Sequence, residues 1–290
     1  VRLVQLLDRQ YAVVVTNPPY MGSKNMAEPL RRYVDRNYPT GKRDIYAAFM
    51  LRCQQMCHAH GRMAMITQQG WMFLRSFAEL RAVLQEKLTE THARRQYPGL
   101  IRSASLEALA HLGRYAFSEI GNAVVAPVLF SLRAAPPTPD HRVWACRLVA
   151  PRPSEEQAAL LLSAVRSGRR AGTVTMPRQV SLLSLPDSPI AYYLTEDLLA
   201  LLIRQPRLQD VGTVRQGLAT ADDNRFIRYM WEVSHPSTRW PTLTKGGGYC
   251  RWFGQNWYHT DWGYEGSRQI SFGKGRYQAA DFYFLPGYSY

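Results

Sequence analysis

The stretch YAVVVTNPPYMGSKNM, Tyr11 to Met26, constrains this chain more than any other. Ala12, Val13, Val14 and Val15 form a continuous apolar run, mostly β-branched, which is the pattern of a strand covered on both faces in a parallel sheet. Asn17, Pro18 and Pro19 then stop it. The two prolines fix φ and remove two N–H donors, so the backbone after Asn17 is stiff and its carbonyls are free to accept from something other than the chain. A rigid set of acceptors at the carboxyl end of a strand lies where open α/β sheets bind their ligands.

The residues that follow keep an α/β rhythm. Ile45, Phe49, Cys53 and Met56 have helical spacing, and the pattern ends at Gly61. Arg62 to Thr67, RMAMIT, reads as a short buried strand, and FLRSFAELRAVLQEKL repeats the helical period through Phe73, Phe77, Leu80, Leu84 and Leu88. The Leu, Glu and Ala content of SLEALAHLGRYAF predicts a further helix, and Asn122 to Leu132 predicts a strand. Alternation of this kind implies an α/β sheet. Beyond about Pro186 the rhythm fades, and from Trp231 onward aromatics crowd between Gly, Lys and Arg. Two regions are therefore expected, 1–185 and 186–290.

Composition narrows the partner. The 290 residues are 46% hydrophobic, enough for a sizeable core, and 36 Lys and Arg against 22 Asp and Glu leave a net charge of +14. A field of that sign concentrates polyanions, nucleic acid foremost. No apolar run approaches a membrane span, so no membrane placement is expected. Cys53, Cys57, Cys146 and Cys250 are too few and irregular for a disulfide framework, and the expected setting is a reducing cytoplasm. Cys53, Cys57, His58 and His60 lack a second ligand pair at zinc spacing, so no metal site is expected; packed thiols and histidines near a helix end account for them.

The chemistry available to Asn-Pro-Pro-Tyr follows from the electronics of an exocyclic amine. The lone pair of adenine N6 is delocalised into the ring, and two acceptors, the Asn17 side-chain oxygen and the Pro18 carbonyl, would localise and aim it by taking its two N–H groups. Tyr20 offers a flat face to a base taken out of its stack, a contact worth about 1–3 kcal/mol.

The tetrapeptide after a β-branched strand resembles the catalytic motif of S-adenosylmethionine-dependent amino-methyltransferases. TNPPYMGSKNM, RDIYAAF, GRMAMIT, FLRSFAELR and AFSEI, in that order, resemble blocks of the adenine-specific DNA methyltransferases of BREX phage-defence systems, relatives of the single-chain type IIG restriction-modification enzymes. GLATADDNRFIRYMWEV and KGGGYCRWFGQNWYHTDWGYEG resemble the start of that family's target-recognition region.

The resemblance implies an α/β fold: the second half of a Rossmann-like methyltransferase sheet in 1–185, then part of a β-rich recognition domain in 186–290. It implies that Asn17, Pro18 and Tyr20 hold and stack a flipped adenine, that Pro19 shapes the turn, and that Phe117 lies near the base. Lys24, Asn224, Arg225, Lys245 and Arg251 are the implied contacts to double-stranded DNA, and other phage-defence proteins are implied partners.

In that family the donor is gripped by a glycine-rich turn and an acidic residue on earlier strands. Neither stands before Tyr11, and neither GTVRQG nor KGGG follows a strand in the required way. The chain is thus expected to be incomplete and inactive alone.

Two other readings of the residues stay open. One changes the acceptor to a ribosomal RNA amine or a release-factor glutamine. The other is a DNA-binding component of a defence complex without catalysis. The aromatics Trp231, Trp252, Phe253, Trp257, Tyr258 and Trp262 serve equally as DNA contacts or as the core of a region poor in aliphatics.

Overall fold

The computed structural model describes residues 2–82, 97–116, 125–150, 153–168, 172–233, 237–245 and 256–285. The described chain divides into two units, Val1–Gln205 and Pro206–Tyr290.

The first unit is built on a mixed sheet. After a short helix α1 (Arg2–Asp8), β1 (Tyr11–Thr16) pairs in parallel with β2 (Cys57–Gln68), with Thr16 opposite Met65. Between them run α2 (Glu28–Asn37) and α3 (Ile45–Met56). Helix α3 buries Ile45, Tyr46, Ala47, Ala48, Met50, Leu51 and Cys53, so most of its circumference is core. The sheet continues through β3 (Ser105–His111), β4 (Pro127–Arg133), β5 (Trp144–Arg147) and β6 (Val174–Thr175), in the order β1-β2-β4-β3-β5-β6. β4 is antiparallel to both β2 and β3, while β3 is parallel to β5. Four strands, β1, β2, β3 and β5, therefore run the same way and end on one rim. This is the α/β, half-Rossmann-like sheet that the sequence implied.

Three sequence expectations need correction. β1 is not covered on both faces: Val14 packs on the main core, but Val13 and Val15 are 60% and 70% exposed. Among the described residues it has one neighbouring strand and one covered face, which the apolar run does not disclose. SLEALAH is a strand, not a helix. Residues of β3 pair on both sides, Leu109 with Phe130 and with Ala145, and both Leu106 and Leu109 are buried. Burying each leucine contributes about 1.5–3 kcal/mol, whereas a helix preference amounts to less than about 1 kcal/mol per residue, so tertiary pairing wins.

Over the described residues 73–82, the helix expected in FLRSFAELRAVLQEKL is instead a series of short turns. These are α4 (Gly70–Phe73), a 3-10 turn at Arg75–Phe77 and α5 (Ala78–Arg81), after which Ala82 is extended and 83–96 lie outside the described residues. Arg81, which that helical period did not include, is a fully buried side chain at the end of these turns. Its guanidinium donates to the carbonyls of Trp71 at 2.7 Å, Leu74 at 2.9 Å, Asp187 at 2.7 Å and Ser188 at 2.9 Å. Burial lowers its pKa to about 10, so it stays cationic at neutral pH. Ile190 N–H donates to the Met72 carbonyl at 2.8 Å, so the strap from Asp187 to Ile190 is tied to α4.

His58 and His60 follow the C-terminal end of α3, as expected, in the first residues of β2, because the backbone turns extended at Cys57. Cys53 and Cys57 are core residues whose thiols burial pushes up, Cys53 to about 11. Among the described residues no His, Cys, Asp and Glu group could hold a metal ion, and no helix is long and apolar enough to cross a membrane.

The second unit has three short antiparallel strands, β7 (Ile227–Tyr229), β8 (Thr242–Leu243) and β9 (Tyr258–Thr260), in the order β7-β9-β8. Its interior is unusually polar. Asp261 is buried with Arg239 and Arg268 each 3.3 Å from its carboxylate, and buried Gln269 donates to Thr260 Oγ1 at 2.8 Å. Phe226 is buried against Phe272, whereas Trp231 and Trp257 are 67% and 55% exposed. Aromatics here serve both the core and the surface.

Candidate active site at the carboxyl rim of the sheet

β1 delivers Asn17 to the rim exposed, with Pro18 buried behind it, Pro19 exposed and Tyr20 half-buried. What holds this loop is a second segment that sequence reasoning quoted without seeing its purpose. Asp44 caps α3 by accepting from Tyr46 N–H at 3.3 Å and also accepts from Met21 N–H at 3.0 Å. Ser23 N–H donates to the Arg43 carbonyl at 3.0 Å, and Ile45 N–H donates to the Met21 carbonyl at 3.0 Å. The blocks after Asn-Pro-Pro-Tyr and around Arg-Asp-Ile-Tyr are thus stitched together directly. An Asp immediately before an apolar helical period is an N-cap signal, so Asp44 was discoverable as a cap. Its second bond to the site loop was not.

Tyr20 is braced from two sides. Its hydroxyl donates to the Ile66 carbonyl on β2 at 3.3 Å, and its ring stands edge-on to Tyr46, centroids 6.0 Å apart. Tyr46 in turn stacks on Phe77 at 5.8 Å. Burial, then the Asp44 carboxylate, raises the Tyr20 pKa above the usual phenol range, so the ring remains neutral. Asp44 is itself raised, since desolvation outweighs the backbone N–H groups that favour its ionised form.

Further along the rim, beyond β2, lies a buried polar chain absent from the sequence reading. His111 at the end of β3 is hydrogen-bonded through Nδ1 to the Tyr192 hydroxyl at 2.8 Å and through Nε2 to Gln69 Oε1. Burial, then the charge of Arg147, lowers the His111 pKa to about 4, so the imidazole is neutral at pH 7. Phe73 packs its ring 5.8 Å from His111, and Arg147 sits over the ring of Tyr193 at 5.8 Å.

The structure brings Asn17, Pro18, Pro19 and Tyr20 together with exposed Lys24, which follows in a 3-10 turn at Ser23–Asn25. Asn224, Arg225 and Lys245 belong to the second unit. There Asp222 caps the turn Asp223–Phe226 by accepting from Arg225 N–H at 3.1 Å, the Arg225 guanidinium lies over Phe226 and Phe272, and Lys245 pairs with Asp223. Phe117 and Arg251 lie outside the described residues.

The loop's own carboxylate, Asp44, is committed to backbone donors. Asp44 is therefore not free to take the ribose hydroxyls of a nucleoside methyl donor, and the site residues named above do not compose a cradle for one. What they do compose is two oxygens, from Asn17 and Pro18, beside a neutral braced phenol.

Residues 4–97 match the family model described as Eco57I restriction-modification methylase. The adenine-specific methyltransferase PglX of Lacticaseibacillus casei (strain Zhang) is 33% identical over 276 residues, which is 90% of this chain and 21% of PglX. BrxX of Escherichia coli O9:H4 (strain HS), also an adenine-specific methyltransferase, is 28% identical over 292 residues, 97% of this chain and 22% of BrxX. The chain spans about a fifth of the length of these curated relatives. Among solved structures, a nuclease-deletion mutant of the type ISP restriction-modification enzyme LlaGI, in complex with a DNA substrate mimic, is similar. Its TM-score is 0.45 and its identity 12%, over 78% of this chain and 22% of that one. The chain is therefore related to the PglX- and BrxX-type adenine-specific methyltransferases, with its Asn17–Tyr20 loop inside the Eco57I-type methylase match.

Proposed function

We propose that this chain carries the acceptor side of a DNA adenine methyltransferase of a phage-defence or restriction-modification system, which moves a methyl group from S-adenosylmethionine to adenine N6. The observation that supports it most is the exposed Asn17 beside buried Pro18 at the end of a parallel strand, on a loop fixed by Asp44 and Arg43. The Asn17 side-chain oxygen and the Pro18 carbonyl each accept one N–H of the extruded adenine. This localises the nitrogen lone pair and points it out of the ring plane, an effect of orientation and fixed dipoles that needs no strong base. Tyr20 backs the ring. Lys24 and the cations of the second unit, Arg225, Lys245 and Arg251, meet phosphates, and the net charge of +14 favours that partner. Since the named site residues compose no donor cradle, the chain by itself binds DNA without transferring methyl groups.

The test is tritiated methyl transfer by the full-length protein to duplex DNA, ribosomal RNA and release factor in competition, with the product base identified. N6-methyladenine in DNA, reduced at least about 100-fold by Asn17→Ala, fits the proposal. Label in RNA or release factor instead would replace DNA by another acceptor, and a fully active Asn17→Ala would remove the mechanism.

A further inference from the structure

Among the described residues beyond Asn17 and Tyr20, the rim holds a hydrogen-bond donor aimed by buried groups and without a partner. Gln69 follows β2, and its side chain reaches across β4 to His111 on β3. The direction of each hydrogen bond in this chain is fixed by the group at its far end. Gln69 Oε1 can only accept, so His111 Nε2 donates to it and the neutral ring leaves Nδ1 as an acceptor. Tyr192 is fully buried, so its own proton goes to His111 Nδ1, 2.8 Å away. The Gln69 amide is thereby fixed with its oxygen inward and its NH2 outward. That NH2 has no hydrogen-bond partner among the described residues, and Gln69 itself is only partly buried.

The strand order places the Gln69 side chain on the same rim as Asn17, two strand positions from β1. Strands are spaced by about 4.8 Å, so β4, which Gln69 overlies, is about 10 Å from β1. A purine held at its exocyclic amine and at N3, across the six-membered ring, spans about that interval with two hydrogen bonds of about 2.9 Å. Phe73, one helical turn after Gln69, walls the far side through its contact with His111.

We infer that Gln69 is a base-recognition residue that donates from its amide to a ring nitrogen of the extruded adenine, with His111 and Tyr192 as positioning residues that hold the amide in that orientation. The inference rests on the adenine reading above and deepens it by assigning the far edge of the base. It also supplies specificity, since a site that donates to a ring nitrogen leaves its own donor unpaired when that nitrogen is missing.

The experiment pairs protein variants with base analogues. In the site that the full-length protein methylates, the target adenine is replaced in turn by analogues lacking N1, N3 or N7. Wild type should lose about tenfold in kcat/KM with one of the three. Gln69→Ala should lose about the same with natural adenine and show no further loss with that analogue. Tyr192→Phe, which keeps the ring but frees His111, should show a reduced discrimination with its thermal midpoint near that of wild type. If Gln69→Ala discriminates among the analogues as wild type does, the inference fails while methylation stands. If wild type does not methylate adenine in DNA, the adenine reading and this inference fall together.

Discussion

The sheet rim and the second unit use similar residue types in opposite ways. At the rim, Tyr20, Tyr46 and Phe77 lock against one another, and polar groups such as Asp44, Gln69 and His111 are tied to partners. In the second unit, Tyr229 and Trp231 stack at 4.5 Å with Trp231 mostly exposed, while Arg225 lies over buried Phe226 and Arg228 over half-buried Trp240. Aiming an amine demands atoms that do not move, because a misplaced acceptor forfeits most of the rate gain. Meeting a polyanion demands charge and flat apolar surface within reach of solvent.

That contrast can be broken by substitution. The largest expected effect on stability is at Arg81, which ties the turns after β2 to the strap carrying Tyr192. Arg81→Met should leave four buried carbonyls without their donor and cost about 3 kcal/mol in urea unfolding. A loss under about 1 kcal/mol would show that the rim does not depend on this clamp. Tyr20→Ala should lower methyl transfer by about 10-fold or more through lost base stacking, while Tyr20→Phe, which gives up only the long bond to Ile66, should stay within a few-fold. Equal losses would move the role from the ring to the hydroxyl.

Trp231→Ala should weaken DNA binding by about 1 kcal/mol with little change in unfolding, as suits an exposed platform. The reverse outcome, lost stability with unchanged binding, would make it part of the second unit's core. The last effect concerns pH. His111 is depressed from 6.5 to about 4 in the folded chain, so the unfolded chain takes up its proton first as pH falls. Its contribution to stability is present above about pH 6.5 and is lost between there and about 4. His111→Gln should flatten that part of the pH–stability curve.

What was legible in the sequence follows the same division. Local signals were reliable where one segment decides its own conformation: the Pro-Pro stop after Thr16, the strand at Arg62–Thr67 and the helix from Ile45 all stand in the structure. They failed where a distant partner decides. β3 reads as a helix until β4 and β5 pair with it, and nothing local marks Arg81 as the residue that carbonyls from 187 and 188 meet. Val13 and Val15 read as buried, but whether both faces of a strand are covered depends on what packs against it. The candidate site divides in the same manner. Asn17 to Tyr20 are contiguous and could be read directly, whereas Gln69, His111 and Tyr192 come from three places in the chain and share no local pattern.

The central claim is that Asn17 orients the target amine rather than admitting the base. It is tested most directly by placing 2-aminopurine at the target position and following its fluorescence alongside methyl transfer to the natural site by full-length wild type and Asn17→Ala. The account predicts the same rise in fluorescence on binding for both proteins, reporting an extruded base, with transfer lost in the variant alone. Methyl transfer by Asn17→Ala at the wild-type rate would contradict it.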